Sequence, residues 1–208
     1  MLIVIEAIIF WLFCLPVLYL IGEWIGFGFS RRSKILDGIV FIAFGWAALA
    51  YFMVALGLFK NLSLFPVILF FAVILLFRRK RLIHFVDWLK AIGSFFDLRS
   101  GFGAWSWYLR IGFLFSVLLT FVVCMLPESS NDGLAYHLTL PKLFLKQSSI
   151  APIEYELYSY RSFLQNMLYV IGLMFGNVPV AKLFHWITGV LFGFSRYYMA
   201  VLVSRSFI

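Results

Sequence analysis

The chain has 208 residues, of which 64% are hydrophobic and only 12% charged, and its mean hydropathy is +1.01. A soluble domain is nearer about half apolar with about a quarter of its residues charged, so composition excludes an ordinary soluble enzyme and predicts an integral membrane protein. The formal charge of +8 is not a nucleic-acid footprint, because no basic stripe is interleaved with exposed polar readers; Lys and Arg collect instead in the cytoplasmic loops of membrane proteins.

The first apolar run, residues 2–29, has neither a basic n-region nor a small-residue cleavage site and reads as a retained span. Residues 35–59 and 109–126 also supply the run of about 20 apolar residues that a spanning helix needs. Residues 62–77 are short, with Arg78, Arg79, Lys80 and Arg81 placed to snorkel from their end. Over 82–96, Leu82, Phe85, Val86, Leu89, Ile92 and Phe96 recur at helical spacing, opposite His84, Asp87, Lys90 and Ser94. This predicts a helix lying in the membrane interface, with His84 solvated or at headgroup level. Trp105, Trp107 and Tyr108 then form an aromatic anchor. Residues 163–176 give a short fifth span, and Asn177-Val178-Pro179 a turn into the last, 180–203. The expectation is therefore an all-α, polytopic membrane bundle, one domain over 1–208 with about six transmembrane helices plus interfacial amphipathic helices.

Basic residues set the orientation. Arg31, Arg32 and Lys34 follow the first span, and Arg78 to Arg81, Lys90 and Arg99 follow the third. Both groups are cytoplasmic only if the N-terminus faces outside, which puts the polar loop 127–162 on the outer face. Cys14 and Cys124 lie inside apolar runs and read as small buried hydrophobes. Glu6, Glu23 and Asp37 lie near span ends, where an interfacial position or a pairing with Arg or Lys is expected. Lys182 and His185 share a helix face; with Arg196 they face a bundle interior, bind a lipid headgroup or sit near the cytoplasmic interface.

The outer loop carries the densest polar chemistry. Asn131-Asp132-Gly133 is turn chemistry, and Asp132 is placed to cap the helix that follows. Ala135, Thr139, Lys142 and Lys146 share one face, with Leu134, Leu138 and Leu145 opposite and Tyr136, Leu140 and Phe144 beside them. Pro141 predicts a kink or a restart with the proline in a first turn, and the segment reads as an amphipathic helix resting on the outer membrane surface. Asp132 is a cap, a general base within reach of a substrate hydroxyl, or both. His137 binds a phosphate or joins a helix–helix contact, and Lys142, Lys146 and Arg161 offer cations to an anionic lipid.

The string NDGLAYHLTLPKLFLKQSSI, followed by YRSFLQNMLYVIGLMFGNVPVAKLFHWITGVL, resembles a block of bacterial membrane glycosyltransferases of the GT-C fold, the protein O-mannosyltransferase and lipid A aminoarabinose-transferase group. The resemblance covers roughly residues 127–191. It implies Asp132 as the catalytic carboxylate, Tyr136 and His137 in its neighbouring motif, and Gln165 and Asn166 at the start of the next span. It also implies an inverting transfer from a polyprenyl-phosphate sugar, in a bacterial plasma membrane, with cations stabilising the departing lipid phosphate. The partners expected are that donor, membrane lipids and an acceptor the sequence does not specify, with no nucleic acid. In the better-known relatives the key loop follows the first span; here it follows the fourth. Asn131-Asp132 stands where an Asp-Glu or Asp-x-Asp pair would favour a metal, so no cofactor is required and a divalent metal stays open. Such enzymes run to several hundred residues, so the chain reads as the amino-terminal part of a longer one. A non-enzymatic lipid or sugar-lipid transporter or scaffold is the alternative, although no convincing internal repeat of the transporter kind is present.

Overall fold

A computed structural model of the chain describes residues 2–26, 33–95, 104–131, 133–154, 159 and 164–205. These are mostly helical with no strand among them, in the order α1 (Leu2–Ile25), α2 (Lys34–Leu58), α3 (Leu64–Arg78), α4 (Leu82–Phe95), α5 (Ala104–Met125), α6 (Thr139–Gln147), α7 (Leu164–Met174) and α8 (Val178–Arg205). α1, α2 and the stretch Val178–Ala200 of α8 are long and apolar enough to cross a membrane, as the composition leads one to expect of a membrane protein.

Prolines and left-handed residues punctuate the chain. Pro66, Pro141 and Pro179 each sit in the first turn of α3, α6 and α8, where a missing N–H costs nothing. Pro141 thus marks a restart, after a separate π-helical turn over Gly133–His137. α7 ends on Gly176, whose φ of 66° belongs to the left-handed region. The amides of Gly176 and Asn177 return to the carbonyls of Leu173 and Gly172 (2.9 and 3.1 Å), a Schellman closure. Asn177 then caps α8, its Oδ1 accepting from the Val180 amide at 3.0 Å while its Nδ2 donates to the Ile3 carbonyl at 2.9 Å.

α1 and α2 form the closest pair. A Cβ placed at Gly22 would stand 1.6 Å from the Phe41 carbonyl oxygen, and one at Gly45 1.9 Å from that of Leu18, so the two backbones touch where the glycines sit. Trp11 and Trp46 stack beside this seam, and Phe184 of α8 packs its edge against both.

The predicted fifth span is shorter than expected. α7 has 11 residues, about 16 Å of helix, against a hydrocarbon core of about 30 Å. It is buried without interruption from Asn166 to Gly172, so it presents no face to lipid. Polar backbone entering a bundle in this way is tolerated where protein surrounds it. α6 also departs from the expected surface position. Leu140, Pro141 and Phe144 are buried against its neighbours, the Ile150 amide reaches the Gly57 carbonyl (3.4 Å), and the Leu62 amide reaches that of Ser148 (3.3 Å). α6 therefore packs against α7 and the π-helical turn before it, and the residues that follow it reach the end of α2.

α4 is amphipathic as predicted, but it buries Phe85 and Trp88 while Ile83, Val86 and Leu89 stay exposed. Trp88 Nε1 donates to the Ile35 carbonyl at 3.1 Å. His84 is not a free headgroup-level residue: its Nδ1 lies 2.5 Å from Glu23 Oε1, and Arg78 Nη2 donates to Glu23 Oε2 at 3.2 Å. The pairing expected of Glu23 is present, with α3 and α4 each supplying a partner. Trp105 and Trp107 lie on α5, but their side chains fall outside the described residues. Cys14 is buried, Cys124 half-buried, and both are free thiols.

Candidate functional site

The polar loop leaves α5 at Leu126 and comes directly against α8. Lys182 Nζ donates to the Leu126 carbonyl at 2.9 Å and lies 3.3 Å from Glu128 Oε2. Lys182 and His185 thus stand at the end of the bundle where α5 finishes and α8 begins, both lining the space between the two helices. Glu128 is held from its other oxygen as well: Oε1 accepts from the Ser130 amide (3.0 Å) and from its hydroxyl (2.5 Å). The Ser130 hydroxyl oxygen in turn accepts from the Gly133 amide at 3.0 Å, and the Ser130 carbonyl accepts from Leu134 at 3.0 Å. Ser130 thereby does for the Gly133–His137 turn what a capping side chain does for a helix.

These contacts hold the Glu128 carboxyl well below the usual carboxylate range, at about 2; the Ser130 hydroxyl and then its amide contribute most, partial burial opposes them, and Lys182 adds a smaller lowering. A depressed carboxyl pKa contributes stability above its unfolded value, near 4.5, and that contribution disappears as pH falls toward about 2. Melting curves of the solubilised chain are therefore expected to hold steady from pH 7 to near 4.5 and to fall below it. Glu128→Gln is expected to show a smaller fall over the same acid range, and an identical one would remove Glu128 from the account.

Beside this pair, a groove of about 490 Å³ runs between α5 and α8, within the range of small-molecule sites, about 300 to 1,000 Å³. Glu128, Lys182 and His185 stand with Tyr169 at its polar end; Phe113, Val117, Trp186 and Val190 make most of the rest. Trp186 Nε1 donates to Thr120 Oγ1 at 2.9 Å and its ring meets the edge of Phe121, bracing the two helices.

The residues singled out in the sequence divide into three sets. His137, Gln165 and Asn166 are brought together. His137 Nδ1 and Asn166 Oδ1 share a hydrogen bond of 3.1 Å, the His137 ring meets Tyr169, and Gln165 Oε1 accepts from Trp46 Nε1 at 3.4 Å. His137 thus makes the helix–helix contact that is one of its two sequence readings. Lys142 and Lys146 lie on the exposed face of α6 and make no ion pair among the described residues. Asp132 and Arg161 lie outside the described residues, and so does the side chain of Tyr136, whose backbone belongs to the π-helical turn. Among the described residues no three His, Cys, Asp or Glu side chains converge to hold a metal.

Sequence reasoning missed Glu128 as a site residue, although it opens the same polar stretch as Asp132 directly after an apolar run. It also left Lys182 among the intramembrane cations, because nothing local in a sequence announces a contact between residues 128 and 182. Compared with protein-family models, curated proteins and solved structures, the chain finds no match.

Proposed function

We propose that the chain is the membrane part of a GT-C-like glycosyltransferase that takes its sugar from a polyprenyl-phosphate donor. The observation that carries this reading is the Glu128–Lys182 pair at the polar end of an otherwise apolar groove. A lipid phosphate needs a cation for its head and hydrocarbon for its tail, and this groove offers both. The resemblance of residues 127–191 to that family supplies the reaction. Asp132, in the loop that carries Glu128, is the general base that takes the acceptor hydroxyl proton as the acceptor oxygen bonds the anomeric carbon and the bond from that carbon to the phosphate oxygen breaks, with inversion. Lys182 then stabilises the charge left on the lipid phosphate.

In the same reading α1, α2, α3, α5 and α8 cross a bacterial plasma membrane while α6 and α7 enter from one side and return. This lowers the count of crossings from the six expected of the sequence to five. The loop after α5 faces outward, because the basic clusters after α1 and α3 belong to the cytoplasmic side.

The test is transfer of a labelled sugar from a polyprenyl-phosphate donor by the chain in liposomes. Asp132→Asn is expected to slow turnover by about 10²- to 10⁴-fold, the range of a general acid or base, with donor binding retained. Undiminished turnover removes Asp132 from catalysis. Donor binding without turnover in the native chain favours the second reading, a lipid carrier, for which the groove alone suffices.

A further inference from the structure

The Glu128 carboxylate already occupies an oxyanion site. Around it converge the Ser130 amide at 3.0 Å, the Ser130 hydroxyl at 2.5 Å and the Lys182 ammonium at 3.3 Å. Two of these donors are neutral and one is charged, the mixture that a phosphate monoester or diester recruits from proteins. The carboxylate belongs to the non-helical stretch after Leu126, whereas Lys182 is fixed on α8 and further held by the Leu126 carbonyl. The cation is therefore tied to the helix and the anion to the loop, so the anion is the partner that can leave. Both side chains are partly desolvated, 15% and 18% exposed for Lys182 and Glu128. An exchange of one anion for another there keeps the lysine paired, whereas simple separation would strand a half-buried charge.

We propose that Glu128 is a built-in counter-ion that fills the phosphate position of the α5–α8 groove until a phosphate-headed lipid displaces it. The inference rests on the reading of that groove as a lipid-phosphate site and adds a control on occupancy. Lipids without a phosphate cannot take over the Ser130 and Lys182 donors, so they leave Glu128 seated. A phosphate-headed lipid exchanges with the carboxylate and docks its chain along the apolar wall from Lys182 to Val190, about 12 Å by helical rise. The intrinsic competition weakens binding but confines it to anionic heads, a specificity obtained by opposing the wrong ligand.

The experiment is equilibrium binding of radiolabelled polyprenyl phosphate to the full chain in detergent, with polyprenol and inorganic phosphate as matched probes. Glu128→Gln preserves an acceptor for Ser130 and removes the charge facing Lys182. It is expected to bind polyprenyl phosphate about tenfold more tightly than the native chain, the scale of one charged hydrogen bond. Lys182→Gln is expected to lose the preference for polyprenyl phosphate over polyprenol. Glu128→Asp, too short to reach Ser130 and Lys182 together, is expected to fall between native and Glu128→Gln, and it stands in if the amide variant does not fold.

Unchanged or weaker binding by Glu128→Gln, with the native preference for polyprenyl phosphate intact, overturns the counter-ion and leaves the lipid-phosphate reading standing. Equal binding of polyprenyl phosphate and polyprenol by native chain and both Glu128 variants overturns both. Inorganic phosphate binding to Glu128→Gln as tightly as the lipid overturns the lipid as the displacing ligand.

Discussion

Gly22→Ala is expected to destabilise the folded bundle by about 3 kcal/mol, the upper part of the usual range for overpacking. Helix propensity alone argues the other way, since Ala is favoured over Gly by about 1 kcal/mol within a helix. Packing decides the sign. The added Cβ meets the Phe41 carbonyl oxygen at 1.6 Å and the carbonyl carbon at 2.4 Å, and backbone atoms cannot step aside as a flexible side chain can. α1 and α2 must separate, and the contacts beside the seam, including the Trp11–Trp46 stack, loosen with them. Gly45→Ala has the same expectation against the Leu18 carbonyl oxygen at 1.9 Å. Gly112→Ala is the control: nothing lies within 4 Å of its added Cβ, so propensity acts alone and stability is unchanged or slightly raised. Reversible denaturation in mixed micelles, followed by circular dichroism, reads all three variants. Equal stability of the Gly22 and Gly112 variants would mean that the backbones do not touch.

Glu23→Ala carries the second large effect, about 3 to 5 kcal/mol, as expected when one member of a buried ion pair is removed. Glu23 is 3% exposed and is the shared acceptor for Arg78 and His84. Its loss leaves the Arg78 guanidinium, whose Nε already has no hydrogen-bond partner among the described residues, without its carboxylate. It also removes one of the contacts that tie α4 to α1, leaving the Tyr19 hydroxyl on the His84 carbonyl and Trp88 on the Ile35 carbonyl to hold it. A paired change, Glu23→Leu with Arg78→Leu, is expected to cost less than Glu23→Ala, because no orphaned charge remains. Asp87→Ala provides the contrast: its contact with Lys90 spans 3.9 Å between side chains 45% and 71% exposed, and such surface pairs contribute about 0 to 1 kcal/mol. The same denaturation assay compares them, and a Glu23→Ala variant as stable as Asp87→Ala would refute the buried triad as a structural element.

The features legible in the sequence are those that local chemistry determines. Apolar length announces α1, α2 and α8, and Pro141 announces a restart inside the polar loop. The Asn177-Val178-Pro179 turn predicts the joint where Gly176 closes α7 and Asn177 opens α8. The amphipathic spacing of residues 82–96 announces α4, but its polar side misleads. His84 belongs to the solvated face by periodicity, and only the approach of α1 turns that face into a partner for Glu23. α6 fails for a related reason: amphipathic spacing does not distinguish a lipid surface from a protein groove as the apolar partner. At the site, His137 and Asn166 were both visible as polar residues near the loop, whereas their contact depends on α7 folding back beside the π-helical turn. Family resemblance, rather than spacing, singles out Asp132 in that stretch and leaves Glu128 unmarked. No local pattern pairs it with a lysine 54 positions later.

The half-length of α7 also governs how charge is partitioned across the bundle. Had residues 164–174 traversed it, α8 would run the other way and carry Arg196 and its terminal Arg205 to the end where Asn177 meets Ile3. Because α6 and α7 turn back, α8 instead runs parallel to α1. It brings its last turns to the end where Tyr198 meets Ser33 and where Arg78 to Arg81 follow α3. One short helix thus fixes the parity of the chain, and the parity sets Arg196 of α8 at the end of the bundle that also holds Arg78, Arg79 and Arg81.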